Sequence, residues 1–150
     1  MFQDEKEGMS MTDIVKPSVQ AFLVCDTIII DSLTGKKSII GAFTHLWAKT
    51  FPCQHPQMGV YFCLNDAEGA YQFEIELIYL DKNQTVGKGA LSPIEIKSRL
   101  ETHDFGLNIS TIVFPGPGRY EFQLHANGQF ITQKDFHVIQ QESTPNPPPP

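Results

Sequence analysis

Phe114-Pro-Gly-Pro-Gly-Arg-Tyr-Glu-Phe-Gln-Leu-His-Ala-Asn-Gly-Gln-Phe-Ile-Thr-Gln-Lys-Asp-Phe-His-Val138 is a β-hairpin written out along the chain. Tyr120, Phe122 and Leu124 alternate with Glu121, Gln123 and His125, the period of two that gives a strand one buried and one wet face. Asn127-Gly128 supplies the two adjacent positive-φ positions of a type I′ turn. Phe130, Ile131, Phe136 and Val138 then carry the return strand. The stretch points to an all-β fold and holds no reactive constellation of its own.

Upstream, Leu107, Ile109, Thr111 and Val113 alternate with Asn108 and Ser110, and Tyr71, Phe73, Ile75, Leu77 and Tyr79 alternate with Gln72, Glu74 and Glu76. Val60–Leu64 is a short strand joined to the latter by the turn Asn65–Gly69. Thr85–Leu91 follows as a strand, and Ile94–Leu100 as one more strand or a helical turn. Nearer the start, Val19–Ile30 is almost wholly apolar, as in a strand covered on both sides, and a turn around Gly35 leads to a strand over Ser38–His45. Pro52 and Pro56 make Thr44–Met58, with Trp47, the longest expected loop. About eight short segments between turn signals predict a single antiparallel β-sandwich, immunoglobulin-like or a related Greek key. It occupies 17–140, between a flexible arm (1–16) and a proline-rich disordered tail (141–150).

A chain of 150 residues, 41% hydrophobic, suits one domain. At this size roughly 68–70% of the unfolded surface is buried without help from a metal or a disulfide. Eleven Phe against one Trp and four Tyr place the aromatic mass in a core. A formal charge of −6 with no basic patch argues against nucleic acid as partner, and no apolar run is long enough to span a membrane. Three cysteines without a Cys-x-x-Cys pair read as reduced thiols, and the acidic opening Met1–Gly8 does not resemble a secretory signal. The expected location is cytoplasmic.

Val24-Cys25-Asp26, Leu33-Thr34-Gly35-Lys36, Ile39-Ile40-Gly41-Ala42-Phe43, Phe51-Pro52 and Pro117-Gly118-Arg119-Tyr120-Glu121-Phe122 carry a resemblance to a known family. The pattern resembles that of short bacterial proteins classed as a domain of unknown function and expected to be stand-alone β-sandwiches. It covers roughly 18–139, and it implies a fold but no activity, cofactor or site residue.

The residues that could carry chemistry are few. Cys53-x-His55, with His45 and Cys63 along the chain, offers two adjacent zinc ligands of the four a tetrahedral site needs. No Gly-x-Ser-x-Gly elbow is present, so a nucleophilic triad would have to be assembled from distant residues. Glu74 and Glu76 share a strand face at roughly 7 Å, a spacing found in some hydrolases but far commoner on a solvated acidic strand face. Val86-Gly-Lys-Gly89 lacks phosphate-loop spacing, and its glycines read as a bulge or strand kink.

The expectation is therefore a protein that is not an enzyme and takes no cofactor or metal. It acts as a protein–protein interaction or structural module, as a subunit of an assembly or a homo-oligomer. Its contact candidates are Trp47, Phe51 and His55 in the proline loop and Asn127 and Gly128 at the hairpin tip. The alternative is a carbohydrate- or small-ligand-binding module, with Trp47 and Tyr61, Tyr71 and Tyr79 turned outward together. Otherwise Trp47 is expected to cover an open end of the core.

Overall fold

The computed structural model describes residues 14–142, and these are all β-structure apart from connections and a 3₁₀ turn at Leu80–Lys82. In chain order the strands are β1 (Ser18–Ile30), β2 (Lys37–Ala42), β3 (His45–Ala48), β4 (Cys53–Asn65), β5 (Gly69–Tyr71), β6 (Phe73–Tyr79), β7 (Gln84–Ala90), β8 (Ile94–Ile96), β9 (His103–Phe114), β10 (Gly118–Ala126) and β11 (Gln129–Gln140). A four-stranded sheet has the order β2-β1-β4-β9, a five-stranded sheet the order β3-β11-β10-β6-β7, and β5 and β8 form a ribbon. The β3–β11 pair is parallel and the others are antiparallel.

Eleven strands in three sheets replace the expected eight of one sandwich. The extra elements are short: β5 and β8 have three residues each and β3 four, too few for alternation to register. The proline-bearing segment is also mostly strand, so that only Lys49–Pro52 separates β3 from β4. Pro56 is tolerated because it falls between the paired residues His55 and Gln57, opposite Thr111, whose φ of 57° breaks the ladder there. The expected arm and tail lie largely outside the described residues. Ile14 packs against the core, and the Val15 carbonyl accepts the Tyr71 hydroxyl at 2.6 Å.

The core lies between the two larger sheets. Phe62 of β4 meets Phe73 of β6 edge-on at 5.6 Å, and Phe114 of β9 meets Tyr120 of β10 edge-on at 4.9 Å. Phe62, Phe73, Phe114, Tyr120, Phe122 and Phe136 are fully buried, each contributing about 1.5–3 kcal/mol by burial.

The four-stranded sheet curls. β1 pairs with β4 from Ser18 to Cys25, then with β2 from Cys25 to Ile30. Its second half lies over the outer side of β4 and β9, where Ile28 fits against Gly59 and Gly106. The Asn108 carboxamide accepts the Ile28 N–H at 2.9 Å and donates to the Ile28 carbonyl at 3.0 Å, doing for one residue what a neighbouring strand would do. Along one side the two sheets meet where Gly89 of β7 makes room for Leu107 and Ile109 of β9.

Candidate interaction surface

The outer face of the five-stranded sheet collects most of the exposed chemistry. Because β3 runs parallel to β11, His45 is set beside His137 and Trp47 beside Ile139. The imidazoles of His45 and His137 stack at 5.5 Å and 23°, and His45 stacks on the Trp47 indole at 6.0 Å and 27°. Trp47 is 62% exposed and Ile139 37%. Trp47 therefore does not cover an end of the core. In β3 the half-buried and buried positions are Leu46 and Ala48, and alternation throws the residue between them outward.

Next to this patch, Arg119 pairs with Asp135 at 3.0 Å across β10 and β11. The guanidinium holds the Asp135 carboxyl below the usual carboxylate range. Along β10, Gln123 donates to Glu121 at 2.7 Å, and His125 is hydrogen-bonded to Gln123 at 3.1 Å. Glu121, expected to be wet, is only 7% exposed and has Gln123 as its hydrogen-bond donor. At the far end of the face a groove of about 400 Å³ is lined by Glu74, Glu76, Lys88, Ala90, His125 and Gly128. The Thr85 hydroxyl donates to Glu76 there.

The expected contact residues do not form one site. Phe51 is half-buried and packs against the core, and His55 is half-buried in β4 against the Phe114 ring at 6.0 Å. Asn127 and Gly128 hold φ of 51° and 83°, the left-handed pair a type I′ turn needs. The Asn127 side chain is committed to structure, accepting the Gln72 N–H at 2.8 Å and donating to the Ala70 carbonyl at 2.9 Å. Trp47 and the Asn127-Gly128 turn sit at opposite ends of the β10–β11 hairpin. The neighbours of Trp47, His45 and His137, were not legible as a pair, since only the parallel β3–β11 register brings them together.

The tyrosines do not join Trp47. Tyr71 and Tyr79 are buried, and Tyr61 lies half-buried on the outer side of the other sheet. Its hydroxyl donates to Asp104 at 2.9 Å, and Lys37 reaches the same carboxylate at 2.7 Å. Burial, reinforced by the bond to Asp104, pushes the Tyr61 hydroxyl up to about 12. Burial opposes ionisation of Asp104, but the bonds from Lys37 and Tyr61 outweigh it and hold the carboxyl low.

The thiols are also apart. Cys53 and Cys63 begin and nearly end the same strand, about 33 Å from one another at a strand's rise per residue. Cys25 is buried, its thiol donating to the Gly59 carbonyl at 3.6 Å, and burial raises its pKa. Among the described residues no three His, Cys, Asp or Glu side chains converge as metal ligands would.

In backbone structure the chain is similar to the alkylpurine DNA glycosylase AlkC of Pseudomonas fluorescens bound to DNA containing an abasic site analog. The TM-score is 0.53 at 8% identity over 83% of this chain, which spans 31% of that one. It is also similar to the C-terminal domain of wzt, with a TM-score of 0.50 at 11% identity over 87% of this chain and 76% of that one. At such identities the likeness is one of fold alone. No curated protein matches the sequence. The sequence pattern over residues 20–139 is that of a described family, and the chain belongs to it: the family of unknown function DUF6941.

Proposed function

We propose that this protein is a non-enzymatic interaction module that binds another polypeptide, a partner subunit or a copy of itself, through strand β3 and the face beside it. The observation that carries the reading is Trp47, a 62% exposed indole on a four-residue edge strand, next to the exposed Ile139. Burying the remaining surface of such a ring is worth on the order of 3 kcal/mol, and tryptophan is the residue most enriched among interface anchors. Within β3 there is no proline or lysine to blunt the edge, which favours its pairing with another strand. The sugar-binding alternative is weaker because the tyrosines lie elsewhere, leaving the indole as its lone platform.

Two finer readings accompany this one. The fold reads as a Greek-key sandwich related to immunoglobulin domains, supported by non-consecutive neighbours in both larger sheets and a core between them. A cytoplasmic location is supported by three unpaired cysteines, and recovery of the chain from an oxidising compartment would count against it.

The deciding experiment is affinity capture of the tagged full chain from its host lysate, with light scattering of the purified protein, for wild type and Trp47→Ala. The variant is expected to keep its thermal unfolding midpoint and to bind its partner, or itself, at least tenfold more weakly. Undiminished association by a folded variant would remove this surface from the reading.

A further inference from the structure

The two larger sheets meet along the β7–β9 side and approach less extensively along the other, where β1 faces β11. On that second side β2 pairs with β1 only from Cys25 to Ile30. Ser18–Leu23 therefore has β4 on one flank and, among the described residues, no strand on the other, while the Val24 carbonyl accepts the Phe43 N–H at 3.3 Å. β11 repeats the arrangement, since β3 covers only His137–Gln140 and leaves the stretch from Gln129 to Phe136 with β10 alone.

The reason lies at the end of β2. Gly41 takes a φ of 72°, the space beside its α-carbon is filled by the Asp26 carboxyl, and Phe43 turns inward to meet Phe136 edge-on at 5.5 Å. The chain thus leaves the first half of β1 before covering it. Between the two bare stretches of backbone is a cleft of about 240 Å³ lined by Leu23, Val24, Ala42, Phe43, Thr44 and Lys134. Lys134 is its one charged group. It is in register with the buried Phe122, on the side of the sheet that faces the core, and among the described residues it makes no ion pair.

We propose that this seam accepts an extended segment of a partner protein as an added strand along Ser18–Leu23, with an apolar side chain in the cleft and a carboxylate on Lys134. Six residues of bare edge, Ser18–Leu23, span roughly 20 Å, the length of the usual strand of 5–6 residues. The cleft is smaller than the roughly 300–1,000 Å³ of small-molecule sites, so it suits a peptide's side chains better than a whole ligand. Strand addition divides recognition accordingly, the backbone giving affinity and alternate side chains giving specificity. Lys134 sets the sign of the preference, because an ammonium among apolar walls gains from a carboxylate and is opposed by a second cation.

The inference rests on the interaction-module reading but uses a surface separate from Trp47, so the two can fail separately. The probes are two fluorescein-labelled, end-capped nine-residue peptides of alternating valine and serine, one with its central valine replaced by glutamate and its twin by lysine. Full-length protein is expected to bind the glutamate peptide at least tenfold tighter than the twin and to slow hydrogen exchange of the Ser18–Leu23 amides when it does so. Lys134→Glu is expected to invert the preference. Leu23→Glu, at a position already 37% exposed, is expected to abolish binding with its unfolding midpoint unchanged.

Equal binding of the two peptides, no binding at millimolar concentration, or binding that leaves those amides exchanging freely would overturn the seam. If Trp47→Ala still loses its partner, the module reading survives that loss. Protection of the same amides that grows with protein concentration alone and vanishes in Leu23→Glu would place a second copy there and overturn the partner peptide.

Discussion

Ile28 is held in place by what its neighbours lack. A β-carbon on Gly106 would come within 2.8 Å of its Cγ2, and one on Gly59 within 2.9 Å of its Cγ1 and of the Cys25 sulfur. These contacts are to atoms bonded directly to a branched β-carbon and to a buried thiol, which cannot swing aside as the end of a long side chain could. Gly106→Ala is expected to destabilise the protein by about 1–3 kcal/mol, the range of overpacking in a filled site. Ile28→Ala alone is expected to cost about 2–5 kcal/mol as a cavity. In the double variant the added methyl occupies the space Ile28 vacates, so the combined loss is smaller than the sum of the single losses. Urea unfolding of the four proteins measures this directly, and strict additivity would mean that the glycine is not there to admit Ile28.

The curled β1–β2 hairpin depends on Asn108, whose side chain satisfies both backbone groups of Ile28. Asn108→Ala leaves that pair without a partner and is expected to cost about 1–3 kcal/mol. The Ile28 amide should then exchange faster while amides in the centre of β10 stay protected; unchanged exchange at Ile28 would show that β2 alone holds the hairpin. None of this curl could be read from the chain, where Asn108 is simply a polar residue in an alternating strand and Gly59 and Gly106 carry no turn signal. By contrast β6, β10 and β11 are legible because each is long, buried on one face, and bounded by turn residues such as Asn127-Gly128. The bulge near Gly87 is legible too, appearing as a register shift between Leu77 and Ile78 opposite β7. Trp47 was legible as a candidate but not as an exposed one. Its orientation follows from β3, and the β3–β11 pairing is a parallel contact between the two ends of the domain that local pattern does not encode.

At the scale of the molecule, the shifted protonation equilibria define a plateau of stability around neutral pH. Asp31, Asp104 and Asp135 are held below their ordinary value of 3.8, so the stability they contribute is present above it and is lost as pH falls through their folded-state values. Tyr61 and Tyr120 work at the other end. Burial pushes the Tyr120 hydroxyl up to about 12 from an ordinary 10.0, its ring lying between Tyr79 at 4.6 Å and Phe136 at 5.8 Å. That contribution is complete below pH 10 and declines as pH rises toward 12, since the unfolded chain releases the proton first, with a limiting slope of about 1.4 kcal/mol per pH unit. Tyr120→Phe isolates this effect. At pH 8 the variant is expected to be less stable by about 1 kcal/mol, because the hydroxyl no longer donates to the buried Gly116 carbonyl, a bond of 2.6 Å in the wild type. Between pH 10 and 12 the wild type loses the Tyr120 contribution and the variant has none to lose, so the gap closes and then reverses. Urea midpoints of both proteins at pH 8, 10 and 11 test this. A gap that stays constant across that window would mean that Tyr120 ionises as readily in the folded chain as in the unfolded one, and that the Phe114–Tyr120–Phe136 packing does not keep it dry.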